Sequence, residues 1–348
     1  MSKEKLFGKT LSELTVLVKE LGLPAFTAKQ LADWLYKKNI TEVDEMTNLS
    51  KVARERLNEK FELGLTPYIK VQQSADGTKK YLFPTIDDKF IETAMIPDDD
   101  RKTVCVSSQV GCKMGCLFCM TAKQGFQGHL SVADILNQYR SLPEWPEITN
   151  LVYMGMGEPF DNFDNVLKSL EILTADWGFA LSPKRITVSS VGLVPSLKRF
   201  LVESQCHLAI SLHNPFDEER RQLMPVQHVY PIAEVLREIR AHDFGRQRRV
   251  SFEYIMFDKV NDQPRHVKEL TRLLSGLRCR MNLIRFHPIP GTPLQSSPEP
   301  VIEHFKEALN EKGILTTIRA SRGQDIFAAC GLLSTKELLK RQHSGNIE

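Results

Sequence analysis

Thr103-Val104-Cys105-Val106-Ser107-Ser108-Gln109-Val110-Gly111-Cys112-Lys113-Met114-Gly115-Cys116-Leu117-Phe118-Cys119 begins as a strand-like run of β-branched and small residues and empties into a loop punctuated by glycine. Downstream, strand-like stretches recur at Thr149–Met154, Arg185–Ser190, His207–Leu212, Val250–Phe257, Met281–Phe286 and Leu315–Arg319. Helical periodicity separates most of them, as at Ser131–Tyr139, Val166–Leu173, Ile232–Ala241, Arg265–Leu274 and Val301–Lys312. Such alternation implies a parallel sheet covered by helices. Six strand–helix units and a last strand fall short of a closed eightfold barrel, so the expected fold is α/β, an open, partial βα barrel. Its chemistry is then expected at the carboxyl ends of the strands.

Upstream, Lys9 to Phe61 carries helical periodicity, and Tyr68 to Ile96 breaks into short apolar stretches with Asp76-Gly77 as a hairpin turn. The expected organisation is a small helical domain over residues 1–66, a β linker over 67–97 and the barrel over 98–348. At 348 residues and 42% apolar composition the chain is long enough for one large and one small domain. No apolar run approaches a membrane span, and the start MSKEKLFGKT lacks the apolar core of a secretory signal. A net charge of +3 leaves the partner open. Seven cysteines, three of them bunched, do not resemble a disulfide framework and point to a reducing compartment, so a cytoplasmic protein is expected.

The bunched cysteines are Cys112, Cys116 and Cys119, spaced Cys-x3-Cys-x2-Cys. Three thiolates on one loop can hold three irons of a 4Fe-4S cluster and leave the fourth without a protein ligand. S-adenosylmethionine (SAM) can chelate that open iron, and an electron from the cluster can then split its carbon–sulfur bond. A zinc site with Cys105 or His129 as fourth ligand is the plainer alternative, though zinc sites usually come as paired short-spaced units. Three buried structural cysteines would be plainer still, but Lys113, Gly115 and Thr121 read as loop.

The second strand runs out at Met154-Gly155-Met156-Gly157-Glu158-Pro159, where glycines permit close backbone approach and Glu158 can accept from a cationic amino group. Ser189 and Ser190 end the third strand, and Ser211-Leu212-His213-Asn214 ends the fourth. His213 reads equally as a satisfied structural histidine and as a ligand contact. Cys206 and Cys279 read as small core hydrophobes.

The triplet, with Phe118 before its last cysteine, is similar to the signature of the radical SAM superfamily. Val104–Cys112, Met154–Pro159, Ser211–Pro215, Arg220–Pro225, Asn282–Ile284 and Ala328-Ala329-Cys330-Gly331 resemble the RlmN/Cfr family, whose RlmN branch comprises dual-specificity ribosomal and transfer RNA adenine methyltransferases. The likeness spans nearly the whole chain, including Asp33–Tyr36 and Glu45–Asn48. It implies that Cys112, Cys116 and Cys119 ligate the 4Fe-4S cluster, and that SAM is held by Gly157, Glu158, Ser189, Ser211, Leu212, His213 and His287. It implies further that Cys330 carries the methyl group, that Cys105 resolves a protein–RNA adduct through a transient disulfide, and that Glu92 accepts a proton; the residues alone would not single out Glu92. Two SAM molecules are consumed per turnover in the family. The implied partners are 23S rRNA, tRNA and an electron donor such as flavodoxin or ferredoxin, with no membrane, and a monomer is expected. Departures from the family pattern are Ala122, His287 and Leu332, none of them an essential thiol.

The resemblance implies methylation of adenine carbon 2, with base extrusion. Carbon 8 methylation by the antibiotic-resistance branch is the nearest rival; the intact Pro97–Arg101 stretch and the amino-terminal likeness favour carbon 2. A radical SAM activase would not need Cys330 and Cys105 together, and a zinc-held RNA-binding module would bind zinc without cleaving SAM. Lys37, Lys38, Lys51, Arg54 and Arg56 could grip RNA, but neighbouring acids make a solvated helix face the simpler reading of each.

Overall fold

The computed structural model describes residues 3–85, 88–245, 248–329 and 331–335. Its centre is a ten-stranded sheet whose spatial order follows the chain. The strands are β1 (Lys70–Gln73), β2 (Lys79–Pro84), β3 (Phe90–Asp98), β4 (Arg101–Cys105), β5 (Asn150–Tyr153), β6 (Ile186–Ser190), β7 (His207–Ser211), β8 (Val250–Met256), β9 (Cys279–Arg285) and β10 (Leu315–Ile318). From β4 to β10 every neighbouring pair is parallel. This is the six-unit, seven-strand open barrel read from the alternation.

Side-chain alternation explains why the sheet has a polar interior and an apolar back. In β5, Leu151 and Tyr153 are buried, and the Tyr153 hydroxyl meets Ser169 Oγ of the following helix at 2.7 Å. Asn150 and Val152 turn the other way and line the cavity inside the barrel. In β6, Ile186 and Val188 are buried while Thr187 and Ser189 line that cavity.

The stretch read as a β linker is part of this same sheet. Strands β1 to β3 pair antiparallel with one another, and β3 pairs antiparallel with β4, so the barrel's first strand is covered and is not an exposed edge. The edges β1 and β10 do not pair, and the barrel stays open.

The small domain holds helices α1 (Leu11–Glu20), α2 (Thr27–Lys37) and α3 (Lys51–Lys60). Thr10 caps α1 reciprocally with Glu13: the Glu13 amide donates to Thr10 Oγ1 at 3.3 Å and the Thr10 amide to Glu13 Oε2 at 2.7 Å. Tyr36 and Phe7 pack on Phe179, with ring centroids 5.3 and 6.4 Å away, and Tyr139 closes on the same ring at 5.2 Å. The small domain and the barrel therefore share one apolar core. Its basic residues are largely engaged at home. Arg56 donates to the Leu21 carbonyl at 2.8 Å and Arg54 to that of Asp44 at 2.6 Å, while Lys37 and Lys51 each lie near an acid one turn away.

Candidate active site

The cluster loop leaves β4 and returns at the short helix α4 (Met120–Gln124). Gly111 has φ +72°, and a Cβ there would lie 1.6 Å from the Gly125 carbonyl oxygen, so only glycine fits where the loop crosses its own return. Leu117 donates its amide to the Leu223 carbonyl at 3.0 Å, which docks the loop on helix α5 (Asp217–Leu223). Cys112 and Cys116 are buried, Cys119 is half-buried, and all three line one cavity of about 690 Å³. Burial pushes the Cys112 thiol up to about 12 and that of Cys116 well above the usual range. Without a cation beside them both thiols stay neutral. Among the described residues no three His, Cys, Asp or Glu side chains converge on a single point. His129 instead meets Gln109 Nε2 through Nδ1 at 3.1 Å and packs on Phe126.

Gly155 and Gly157 form the turn after β5. A Cβ on Gly155 would lie 2.7 Å from the Val106 carbonyl oxygen, and one on Gly157, at φ +98°, 2.5 Å from Gln109 Cβ. Glu158 is buried, and its carboxylate accepts the Phe160 and Val191 amides, each at 3.0 Å. It thus ties the β5 turn to the end of β6. Burial, opposed by hydrogen bonds from Ser190, Val191 and Phe160, brings its carboxyl up to about 7.

Ser189, Ser211, His213 and His287 line the cavity with Gly157 and Glu158. The Leu212 side chain does not; it is fully buried, and its amide donates to the Glu253 carbonyl at 3.0 Å. His213 sits at φ +53°, accepts the Ile255 amide on Nδ1 at 3.0 Å and packs edge-on against Phe118 at 4.8 Å. His213 is thus satisfied by the fold and also borders the cavity. Burial holds its imidazole down at about 3, hence neutral. Cys206 and Cys279 lie in or against the apolar core, as read.

Cys105 ends β4, is buried and lines the cavity. Cys330 lies outside the described residues. Its neighbours Ala329 and Gly331 line the cavity, and the Gly331 carbonyl accepts the Met120 amide, directly after the last cluster cysteine, at 2.8 Å. The loop leading to Cys330 is held from the far side of the sheet. Asp325 accepts Ser74 Oγ at 2.6 Å and the Ala75 amide at 3.3 Å, and Asp76 accepts the Gly323 amide at 2.8 Å. The hairpin between β1 and β2 thereby latches a loop some 250 residues later and draws it across the open side of the barrel. Partial burial would raise the Asp76 carboxyl, but hydrogen bonds from Gly323, Thr78 and Ser74 bring it down to about 2.

Glu92, on β3, is not among the cavity-lining residues. It is buried, pairs with Lys80 at 2.9 Å and accepts the Ser334 amide at 3.0 Å. Burial raises its carboxyl and Lys80 opposes the rise.

Sequence reading missed several residues that shape the site. Gln109 is fully buried; its side chain accepts the Glu158 amide at 2.8 Å and donates to Asp161 at 2.7 Å, joining the cluster loop to the Gly157 turn. Arg220 is fully buried and donates to the carbonyls of Val191, Ser211 and Leu212 at 3.2, 3.0 and 3.0 Å, so one guanidinium binds the ends of β6 and β7 together. Glu253 and Arg319 line the cavity and pair with each other. A signal for Glu253 was present: in Val250–Met256 a carboxylate interrupts an apolar strand on the face shared by Ser251 and Ile255.

Known proteins resemble this chain along almost its whole length. Residues 106–271 match the model of the radical SAM superfamily, and residues 4–63 that of the ribosomal RNA large subunit methyltransferase N-terminal domain. The "Probable dual-specificity RNA methyltransferase RlmN" of Porphyromonas gingivalis W83 is 57% identical, over 95% of this chain and 97% of that protein. The "Dual-specificity RNA methyltransferase RlmN" of Syntrophus aciditrophicus is 42% identical, over 97% and 98%. Among solved structures, a radical SAM methyltransferase from Sphaerobacter thermophilus superposes with a TM-score of 0.89 at 39% identity, covering 95% of this chain and 99% of that one.

Proposed function

Because the chain belongs to the RlmN family of radical SAM methyltransferases, we propose that it methylates carbon 2 of adenosine in 23S rRNA, at the peptidyl-transferase centre, and in tRNA, beside the anticodon. One observation carries the reading: three thiols from a single loop, the strand-end thiol Cys105 and both neighbours of Cys330 border the same cavity.

The residues present fit the cofactors of the family. Cys112, Cys116 and Cys119 would hold three irons of a 4Fe-4S cluster and leave the fourth open. Gly155 and Gly157 leave no room for a side chain where the backbone would approach SAM, with Glu158, Ser189, Ser211, His213 and His287 around it and Leu212 offering backbone alone. When bound, the cluster and SAM supply a carbon radical able to remove hydrogen from a methyl group.

What the chain's own residues do follows from the target. Adenine carbon 2 is electron-poor and bears only hydrogen, so it cannot attack a sulfonium directly. A methyl group held on Cys330 and joined to the ring from there avoids that difficulty. One SAM would methylate Cys330 and a second would supply the radical. Cys105, bordering the same cavity, would attack the Cys330 sulfur and form a disulfide as the bond from that sulfur to the ring-bound carbon breaks, the electron pair and a proton going to that carbon to leave the methyl group; a thiol reductant would then restore both cysteines. Glu92 is the proposed proton acceptor; burial raises its carboxyl and so makes it the stronger base, while Lys80 beside it favours the charged form that can take up a proton.

Among the described residues no helix is long and apolar enough to cross a membrane. We read the protein as a cytoplasmic monomer reduced by a flavodoxin or ferredoxin. Nuclease digests of 23S rRNA and tRNA from cells lacking it should lose 2-methyladenosine, restored by the wild type and not by Cys330→Ala. Restoration by Cys330→Ala would defeat methyl carriage, and loss of 8-methyladenosine instead would move the target to carbon 8.

A further inference from the structure

Halfway down the barrel a row of polar side chains crosses four adjacent strands. Ser211 of β7 is in register with Glu253 of β8, Glu253 with Asn282 of β9, and Asn282 with Thr317 of β10. All four line the cavity, and so does Arg319, just beyond β10. Interior layers of βα barrels are ordinarily filled by branched apolar side chains. A carboxylate in such a layer costs stability unless its lone pairs are met.

Those of Glu253 are met on one side only. The residue is 4% exposed. Its Oε1 accepts Asn282 Nδ2 at 2.8 Å, Ser251 Oγ at 3.1 Å and Arg319 Nη2 at 3.3 Å. Its Oε2 accepts no hydrogen bond. Arg319 Nε lies 3.2 Å from Oε2, close enough for charge to charge but not directed as a hydrogen bond. Asn282 is itself fixed, accepting Thr317 Oγ1 at 3.0 Å. The fold thus holds a carboxyl group in place beside a guanidinium, with one oxygen that accepts no hydrogen bond and is shielded from solvent.

The same cavity is lined in part by the apolar side chains Val152, Met154 and Ile284, the last on the strand that pairs with β8. Arg319 Nη1 reaches across the cavity to Met154 Sδ, just beyond β5, at 3.7 Å. An acceptor beside a donor, with apolar side chains in the same cavity, suits a flat ring presenting an amino group next to a ring nitrogen. Adenine has that edge; purine lacks the amino group, and guanine puts a carbonyl oxygen in its place.

We propose that Glu253 and Arg319 form the subsite that selects the target base. The free Glu253 oxygen accepts from the adenine amino group, and Arg319 donates to the neighbouring ring nitrogen. This deepens the proposed function and rests on it for the choice of RNA as ligand.

The test compares cluster-reconstituted wild-type enzyme with Glu253→Met and Glu253→Gln. Each binds a hairpin RNA carrying either adenosine or purine riboside at one unpaired position, and dissociation constants are read without turnover. Wild type should prefer adenosine by about tenfold or more, as befits a hydrogen bond to a charged acceptor. Glu253→Met should bind both RNAs alike, and Glu253→Gln, which keeps a neutral acceptor, should fall between. A wild type indifferent to the amino group would overturn the proposal. So would a Glu253→Met enzyme weakened equally on both RNAs, because that marks Glu253 as a support for Arg319 alone. Discrimination that persists in an enzyme unable to methylate any RNA would uphold this subsite and overturn the proposed reaction instead.

Discussion

The cluster loop and the polar row of β7 to β10 border one cavity but arise by opposite routes. Cys112, Cys116 and Cys119 lie within eight residues of each other, so their spacing alone announces shared chemistry. Ser211, Glu253, Asn282 and Thr317 are scattered over more than a hundred residues and meet only because consecutive strands pair in one register. A local site is written in spacing. A site assembled by topology can be read only once the sheet exists.

That contrast can be broken most forcefully at Gly111. A methyl group there collides with the Gly125 carbonyl oxygen at a positive φ, so Gly111→Ala should destabilise the loop by about 3 kcal/mol and empty it of iron. Denaturation midpoints and iron content measure both effects. An alanine enzyme with full iron and an unchanged midpoint would show that the loop does not depend on its tight crossing.

A smaller effect is expected where the two routes meet, at the latch between the β1–β2 hairpin and the Cys330 loop. Asp76→Ala removes the acceptor of the Gly323 amide, so methyl transfer should fall on the order of 10- to 100-fold through misplacement of the loop. Release of 5′-deoxyadenosine from SAM should change far less. Equal loss of both activities would show that the latch supports the whole barrel and not the loop in particular.

Near neutral pH the smallest effect is expected at His213, which touches both regions through Phe118 and Ile255. Burial holds its folded pKa at about 3, below the ordinary value of 6.5. Between those values the unfolded chain binds a proton that the folded chain refuses, so stability falls as pH drops from 6.5 towards 3. His213→Gln should remove one proton from that slope, about 1.4 kcal/mol per pH unit. An acid-unfolding curve unchanged by the substitution would contradict a neutral buried imidazole.

The same contrast explains which parts of the fold were legible. The βα alternation stood out because each strand buries an alternating apolar face and each long helix an apolar stripe. Helix α5 escaped notice because it is seven residues long and buries only Arg220 and Leu223, too little for periodicity. The joining of β1–β3 to the barrel escaped notice because it is made by β3 folding back on β4 through the tight turn at Asp99-Asp100, where a domain boundary was expected. In the site, the three thiols and the Gly157 turn were legible from spacing and composition. The carboxylate of Glu158 was read as a ligand group, yet it also caps the Phe160 and Val191 amides, a second duty visible only in three dimensions. Glu92 and Cys105 drew their roles from resemblance, since a buried carboxylate and a strand-end thiol look ordinary in isolation.

The most direct measurement of the central claim is made on full-length protein reconstituted without oxygen and then reduced in the presence of SAM. Iron, sulfide and 5′-deoxyadenosine are quantified for the wild type and for Cys116→Ala. The wild type should hold about four irons and four sulfides per chain and release 5′-deoxyadenosine, and the variant should do neither. Wild-type protein that takes up zinc in their place and leaves SAM intact would contradict the account.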